Sequence, residues 1–137
     1  MRKWGKILLH VLLLALVVSS FQMAASEAEV SAPLEYSHII SFSNQFIWSG
    51  NSLKSTAVLT FDNATRSAIT ATLQRKENGV WRDQGNRTKS GIPMTVIQQE
   101  SWSPSSFHCY QIRYDVKIYD GSYLVEQQTF YSQSVWY

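Results

Sequence analysis

The clearest pattern along the chain is a strict alternation of apolar and polar side chains between residues 110 and 119. The apolar positions are Tyr110, Ile112, Tyr114, Val116 and Ile118, and polar residues fill the positions between them. Because successive side chains of a strand point to opposite faces, this period of two predicts a strand with one buried and one solvated face. Asp120-Gly121 predicts a two-residue hairpin turn, followed by a return strand over residues 122–132.

Similar short runs occur upstream and predict further strands. Residues 53–61 and 69–74 alternate in the same way, and Asn78-Gly79 predicts a hairpin turn whose return strand begins at Val80. Residues 36–48 predict a first strand, bent near Ser43-Asn44 because the apolar positions change parity there. Residues 94–102 predict one more strand. The polar residues 83–93 predict a loop or a poorly ordered edge, and residues 103–108 predict a second loop.

These elements favour an all-β fold. No stretch of the predicted domain keeps a helical apolar period, and about seven short strands with two hairpins are typical of an antiparallel immunoglobulin-like or fibronectin-like sandwich. Tyr110 begins the next-to-last strand, where such folds place a tyrosine corner. We therefore expect its hydroxyl to bond back to the preceding loop.

The first residues have the features of a secretory signal peptide. A basic start is followed by an apolar run over residues 7–18 and then by small residues. The apolar run has 12 residues, which is short for a membrane-spanning helix. We expect cleavage after Ala25 or Ala28, an uncleaved anchor being the alternative. The predicted organisation is a signal peptide over residues 1–25, a flexible arm over 26–35 and a β-sandwich over 36–137.

The charge of the chain changes when this leader is set aside. The whole sequence carries a formal charge of +2, with 12 basic and 10 acidic residues. Three of the basic residues (Arg2, Lys3 and Lys6) lie in the leader, so nine remain against ten acidic residues, a charge of −1. Without a basic block, the predicted domain lacks the electrostatic signature of a nucleic-acid-binding surface.

One hairpin carries a resemblance to known proteins. The segment over residues 73–81, Leu-Gln-Arg-Lys-Glu-Asn-Gly-Val-Trp, resembles a hairpin of small secreted proteins from Gram-positive bacteria, and residues 110–126 resemble their terminal strands. That resemblance implies an exported single β-sandwich domain and no catalytic residues, because the family is uncharacterised. The chain departs from it in the loop over residues 101–109.

Candidate chemistry is sparse. His38 and His108 are far apart in sequence, and the carboxylates (Glu77, Asp83, Glu100, Asp115, Asp120 and Glu126) are dispersed, so no catalytic set, metal site or cofactor is predicted. Cys109 is the single cysteine, which excludes an intramolecular disulfide; we expect a small buried or edge thiol. Asn63 and Asn86 head Asn-x-Thr sequons in predicted loops, relevant only if the host glycosylates exported proteins.

The aromatic residues are the remaining functional signal. Trp48, Trp81, Trp102 and Trp136 are accompanied by seven tyrosines, and exposed rings stack on sugars or anchor protein partners. The alternative is that they form the core and cover the sheet edges. Trp81 adjoins a turn and Trp102 begins a loop, so these two are the predicted exposed tryptophans.

These observations predict a small, exported, non-catalytic domain that binds a protein or a glycan, secreted or held at the cell surface. Neither nucleic acid nor stable membrane insertion after cleavage is expected. A secreted effector, either toxin-like or inhibitory, is the alternative, and a small hydrolase is a third interpretation.

Overall fold

The computed structural model describes residues 38–137; the predicted signal peptide and arm lie outside the described residues. The described chain consists of antiparallel strands joined by turns and loops. The strands are β1 (Ile39–Ser49), β2 (Ser52–Phe61), β3 (Arg66–Glu77), β4 (Val80–Gly91), β5 (Met94–Trp102), β6 (Cys109–Asp120), β7 (Tyr123–Tyr131) and β8 (Val135–Trp136). The described segment contains no helix long and apolar enough to span a membrane.

Two sheets pack face to face as a sandwich. One sheet has the order β1-β2-β5, and the other has the order β4-β3-β6-β7, with β8 also paired to β6. The apolar faces of β2, β3 and β6 meet in the centre, where side chains such as Leu59, Ile69 and Val116 have no exposed surface. The predicted antiparallel all-β sandwich of about seven strands is confirmed.

Strand β8 continues the line of β7, and both strands pair with β6. Tyr131 lies opposite Arg113 on β6, and Val135 lies opposite Tyr110. In the gap between them, the Ser132 hydroxyl accepts the Ile112 N–H at 2.8 Å. A side chain thus takes the place of one ladder carbonyl where the strand breaks. Strand β8 was not predicted from the sequence, because two residues are too few to show a period.

Two alternatives were predicted for residues 83–93, a loop or a poorly ordered edge, and the loop was wrong for most of this length, because the segment is an edge strand. Strand β4 runs to Gly91 and pairs with β3 throughout, with a bulge at Gln84. Its side chains are almost all exposed because β4 is an edge strand, and the exposed strand lacks the apolar alternation that predicts a half-buried one. Asn86 consequently lies in a strand, whereas Asn63 lies in the predicted loop between β2 and β3.

Two local predictions are corrected by small shifts. The parity change of β1 is real, but the register irregularity lies between Ile39 and Ser41, not near Ser43-Asn44. Asp120 is the last residue of β6 and pairs with Tyr123, so the turn consists of Gly121 and Ser122. Gly121 has φ +60° at the first central position, where a type II′ turn favours glycine. Asn78 and Gly79 both have positive φ, as predicted.

The end of β4 packs closely against β5. A Cβ added to Gly91 would lie 2.2 Å from Cγ2 of the buried Val96. We expect Gly91→Ala to lower the free energy of unfolding by about 1–3 kcal/mol, because the added methyl overpacks this contact. Chemical denaturation monitored by tryptophan fluorescence measures the change.

Gly85 in the same strand is the matched control, because a Cβ there would meet no heavy atom within 4 Å. We expect Gly85→Ala to change the free energy of unfolding by no more than about 0.5 kcal/mol. Equal losses in the two variants would contradict the close packing of Gly91 on Val96.

Candidate functional site

All four tryptophans of the described chain lie at one end of the sandwich, here called the tryptophan end. Trp48 and Trp102 lie at or near the ends of β1 and β5, and both pair with Leu53 on β2, one from each side. Trp81 lies at the start of β4, and Trp136 pairs with Cys109 at the start of β6. In an antiparallel sandwich, the ends of odd-numbered strands and the starts of even-numbered ones meet at the same end.

The exposed tryptophans are not the two that the sequence analysis favoured. Trp102 is only 5% exposed, because it shares the inward parity of Val96, and its Nε1–H donates to the buried Ser55 hydroxyl at 2.8 Å. Trp81 is half-buried. Trp48 and Trp136 are instead 52% and 64% exposed. Position next to a loop was therefore a poor guide to exposure, and strand parity was the better signal for Trp102.

Trp48, Trp136 and Tyr137 form one aromatic cluster. The Trp48 indole N–H donates to the Trp136 carbonyl at 2.9 Å, and its ring stacks on Tyr137 with centroids 4.5 Å apart. The Tyr137 hydroxyl in turn donates to the Asn51 carbonyl at 2.8 Å, in the β1–β2 turn. These contacts fix the rings of Trp48 and Tyr137, whereas Trp136 is engaged through its backbone carbonyl and its side chain is exposed on the opposite face of the strand from Tyr137.

The loop over residues 103–108 lies beside this cluster. The backbone N–H groups of Phe107 and His108 donate to the Tyr137 carbonyl, and Tyr137 N–H donates back to the His108 carbonyl. Phe107 has φ +66°, and its side chain is 82% exposed. Another large apolar ring therefore projects from the tryptophan end.

Tyr110 fixes the same loop from inside. Its hydroxyl donates to the Ser105 carbonyl at 2.6 Å, which confirms the predicted bond back to the preceding loop. The ring itself is 1% exposed. A buried side chain of the core thus sets the position of the loop that borders the site.

A cleft of about 350 Å³ opens at the tryptophan end beside the β4 bulge. Its floor is Leu73 and Gly85, and one wall is the loop segment 103–105. Arg75 and Arg87 also line it, whereas the described lining residues include no carboxylate. The edge strands β4 and β5 flank this opening because they lie on the same side of the sandwich.

The two arginines differ in how firmly they are paired. Arg75 forms an ion pair with Glu77, and this hydrogen bond lowers the pKa of Glu77 and raises the pKa of Arg75. Arg87 Nε lies 3.5 Å from the Glu100 carboxylate, and the Arg87 guanidinium lies 5.0 Å from the centroid of the Trp102 ring. Arg87 is therefore oriented by an aromatic ring more than by a carboxylate.

The structure separates the histidines. His38 precedes β1 and His108 precedes β6, so they lie at opposite ends of the sandwich. Cys109 is a half-buried free thiol paired with Trp136. Within residues 38–137 there is no group of three or more side chains suited to hold a metal ion.

The dispersed carboxylates mostly have structural partners. Arg113 contacts both Asp83 and Asp115 on the outer face of the larger sheet, at 3.3 and 3.0 Å. Glu126 on β7 accepts the backbone N–H groups of His38 and Ile39, at 2.8 and 3.2 Å. A carboxylate thus ties the start of the edge strand β1 to the other sheet.

Comparisons with known proteins yield no match. No family model matches the chain, and neither a curated protein nor a solved structure matches it.

Removing the hydroxyl should affect the free energy of unfolding differently at the two core tyrosines of β6, Tyr110 and Tyr114. We expect Tyr110→Phe to lower the free energy of unfolding by about 1–2 kcal/mol, because the Ser105 carbonyl loses its donor. The Tyr114 hydroxyl lies near Ser55 but makes no hydrogen bond of ordinary geometry, so Tyr114→Phe should be neutral or stabilising near pH 7. Urea denaturation of both variants measures these changes; a larger loss for Tyr114→Phe would contradict the assignment.

Tyr114 should also make the stability of the domain depend on pH in the alkaline range. Burial raises the pKa of Tyr114 from 10.0 to about 12, although Ser55 partly opposes this shift. Because the unfolded chain releases this proton first, the contribution of Tyr114 to stability is intact below pH 10 and falls as pH rises to 12. We expect Tyr114→Phe to lack this component, about 2–3 kcal/mol in full. Identical alkaline profiles for Tyr114→Phe and the parent chain would contradict the shift.

Proposed function

We propose that this chain is a small, exported, non-catalytic binding domain that engages a protein partner through its tryptophan end. The observation that carries the proposal is the aromatic cluster of Trp48, Trp136 and Tyr137, in which both tryptophans are exposed and the Trp48 ring is held by stacking and a hydrogen bond. Interface hot spots are enriched in tryptophan, tyrosine and arginine, and rigid rings bind with a small loss of side-chain entropy.

A protein partner agrees better with this geometry than a glycan does. One face of the Trp48 ring is covered by Tyr137, and the Trp48 N–H is engaged by the Trp136 carbonyl. The Trp48–Tyr137 stack therefore presents ring edges, and with the separate exposed side chains of Trp136 and Phe107 it forms a stepped apolar surface. Sugar stacking uses open, planar ring faces, whereas a stepped surface suits the side chains of another protein.

Export and origin belong to the same proposal. The basic, apolar and small-residue segments of the first 25 residues support secretion or display at the cell surface. The hairpin over residues 73–81 supports a kinship with small secreted proteins of Gram-positive bacteria. The Tyr110 hydrogen bond to Ser105 supports an immunoglobulin-like type of sandwich. The secreted effector remains the second proposal, since an inhibitor would also bind through such a surface.

The test compares two exposed aromatic surfaces at opposite ends of the domain. The purified protein is immobilised and exposed to the extracellular fraction of the producing culture, and retained proteins are identified and their affinity measured. We expect the double variant Trp48→Ala, Trp136→Ala to weaken retention of the partner at least about tenfold, because two anchor rings are lost.

Tyr123→Ala is the matched control, because Tyr123 is 77% exposed beside the β6–β7 turn at the other end. It should retain the partner as the parent chain does, and circular dichroism checks that all variants are folded. Equal retention by the tryptophan variant, or binding of glycans with no protein partner, would overturn the proposal.

A further inference from the structure

We propose that the cleft beside the β4 bulge binds an acidic side chain of the partner protein, with Arg87 as the group that recognises its carboxylate. This inference rests on the proposed function, because the cleft borders the tryptophan end. It adds the chemical class of the recognised group, which the aromatic cluster alone does not specify.

The lining of the cleft is positively charged. Two guanidinium groups, Arg75 and Arg87, reach the opening, and the acidic partners Glu77 and Glu100 lie outside the lining. Glu77 is flanked by Arg75 and by Arg82, the latter at 3.5 Å, so this region keeps an excess of positive charge. An anionic group entering the cleft therefore meets an attractive potential.

Arg87 has an exposed side chain and is only weakly paired with a carboxylate. Its side chain is 53% exposed, and its contact with Glu100 is a long one through Nε. Within the described residues its terminal Nη groups donate no hydrogen bond. The Trp102 ring lies under the guanidinium and restrains its orientation, so the planar fork is prepared for a bidentate contact with a carboxylate.

The open space in the cleft is large enough for one side chain of a partner. Gly85 follows the bulged Gln84, and a Cβ there would meet nothing within 4 Å, so the floor is free of side-chain atoms beside Leu73. The wall is held in place because Tyr110 bonds to Ser105. The volume of about 350 Å³ lies at the lower end of the range for ligand pockets, which suits one side chain of a peptide more than a large cofactor.

The aromatic residues of the cleft disfavour an acidic sugar. Trp102 and Tyr110 are 5% and 1% exposed, so neither presents a free ring face to a pyranose. A glutamate side chain fits this lining better, because its flexible stem can pass over the open Gly85 and bring a carboxylate to Arg87. The flanking edge strands leave room for the extended backbone of the partner on either side.

Titration of the intact domain with a small peptide tests this directly. The probe is acetyl-Ala-Glu-Ala-amide, followed through the ¹H–¹⁵N resonances of Arg87 Nε–H and Trp102 Nε1–H. We expect saturable shifts at millimolar peptide, at least about tenfold weaker for acetyl-Ala-Gln-Ala-amide and reduced at high salt, because the carboxylate–guanidinium contact is lost or screened.

Variants separate recognition by the fork from general charge. Arg87→Gln should abolish the response of Trp102, and Arg87→Lys should restore only part of it, because lysine keeps the charge but not the planar fork. Arg66→Gln is the control, because Arg66 pairs with Tyr119 at the opposite end and should leave the titration unchanged.

Three outcomes would overturn the inference: no saturable shift with the glutamate peptide, equal shifts with the glutamine peptide, or saturation by galacturonate with none by the peptide. Partner retention separates the two proposals. If Arg87→Gln binds the partner and the glutamate peptide as the parent does while the tryptophan variant loses the partner, the cleft inference fails and the proposed function stands.

Discussion

The domain depends on the burial of one continuous apolar face of β6 between the two sheets. Strand β6 pairs with β3 on one side and with β7 and β8 on the other, so it is the central strand of the larger sheet. Its inward side chains, from Tyr110 to Ile118, are 1% exposed or less. The single cysteine is a free thiol, so no covalent bridge shares this role, and hydrophobic burial must offset the entropy of ordering the strands.

The same strand connects the core to the site. Tyr110 is at once the first buried ring of β6 and the donor that holds the loop at Ser105. Arg75 lies opposite Tyr110 on β3, so the register that packs the core also places the first arginine of the cleft. A slip of one residue along β6 would turn its apolar face to water and would also displace both groups. Core register and site geometry are therefore one constraint.

The sequence predicted the strands that bury one face, because their apolar and polar residues alternate. It failed for a strand whose two faces are both exposed, because such a strand shows no alternation. Residues 110–119 alternate because one face meets the opposing sheet, and the strand was found almost to the residue. Strand β4 is exposed on both faces over residues 83–90, so its composition is that of a loop, and only pairing with β3 makes it a strand. Strand β3, which the predicted Asn78-Gly79 turn places beside β4, satisfies its backbone hydrogen bonds, but no apolar period shows how far this pairing continues.

The exposure of the tryptophans likewise follows from the local pattern in one case and depends on tertiary packing in another. Trp102 shares the parity of Val96 and Gln98, so its burial was available from the sequence. Trp48 shares the parity of the buried Phe46, two residues earlier, yet half of it is exposed. Trp48 lies in the same register row as the buried Leu53 and Trp102, so the difference arises from what covers each ring. The Ser55 hydroxyl and the Arg87 guanidinium both contact the Trp102 indole, whereas Tyr137 stacks on one face of Trp48. These covering groups come from segments distant in sequence, so no local pattern encodes them. The exposed aromatic surface at the tryptophan end is thus a product of tertiary packing, and because large exposed apolar patches mark interaction sites, it supports the proposed partner.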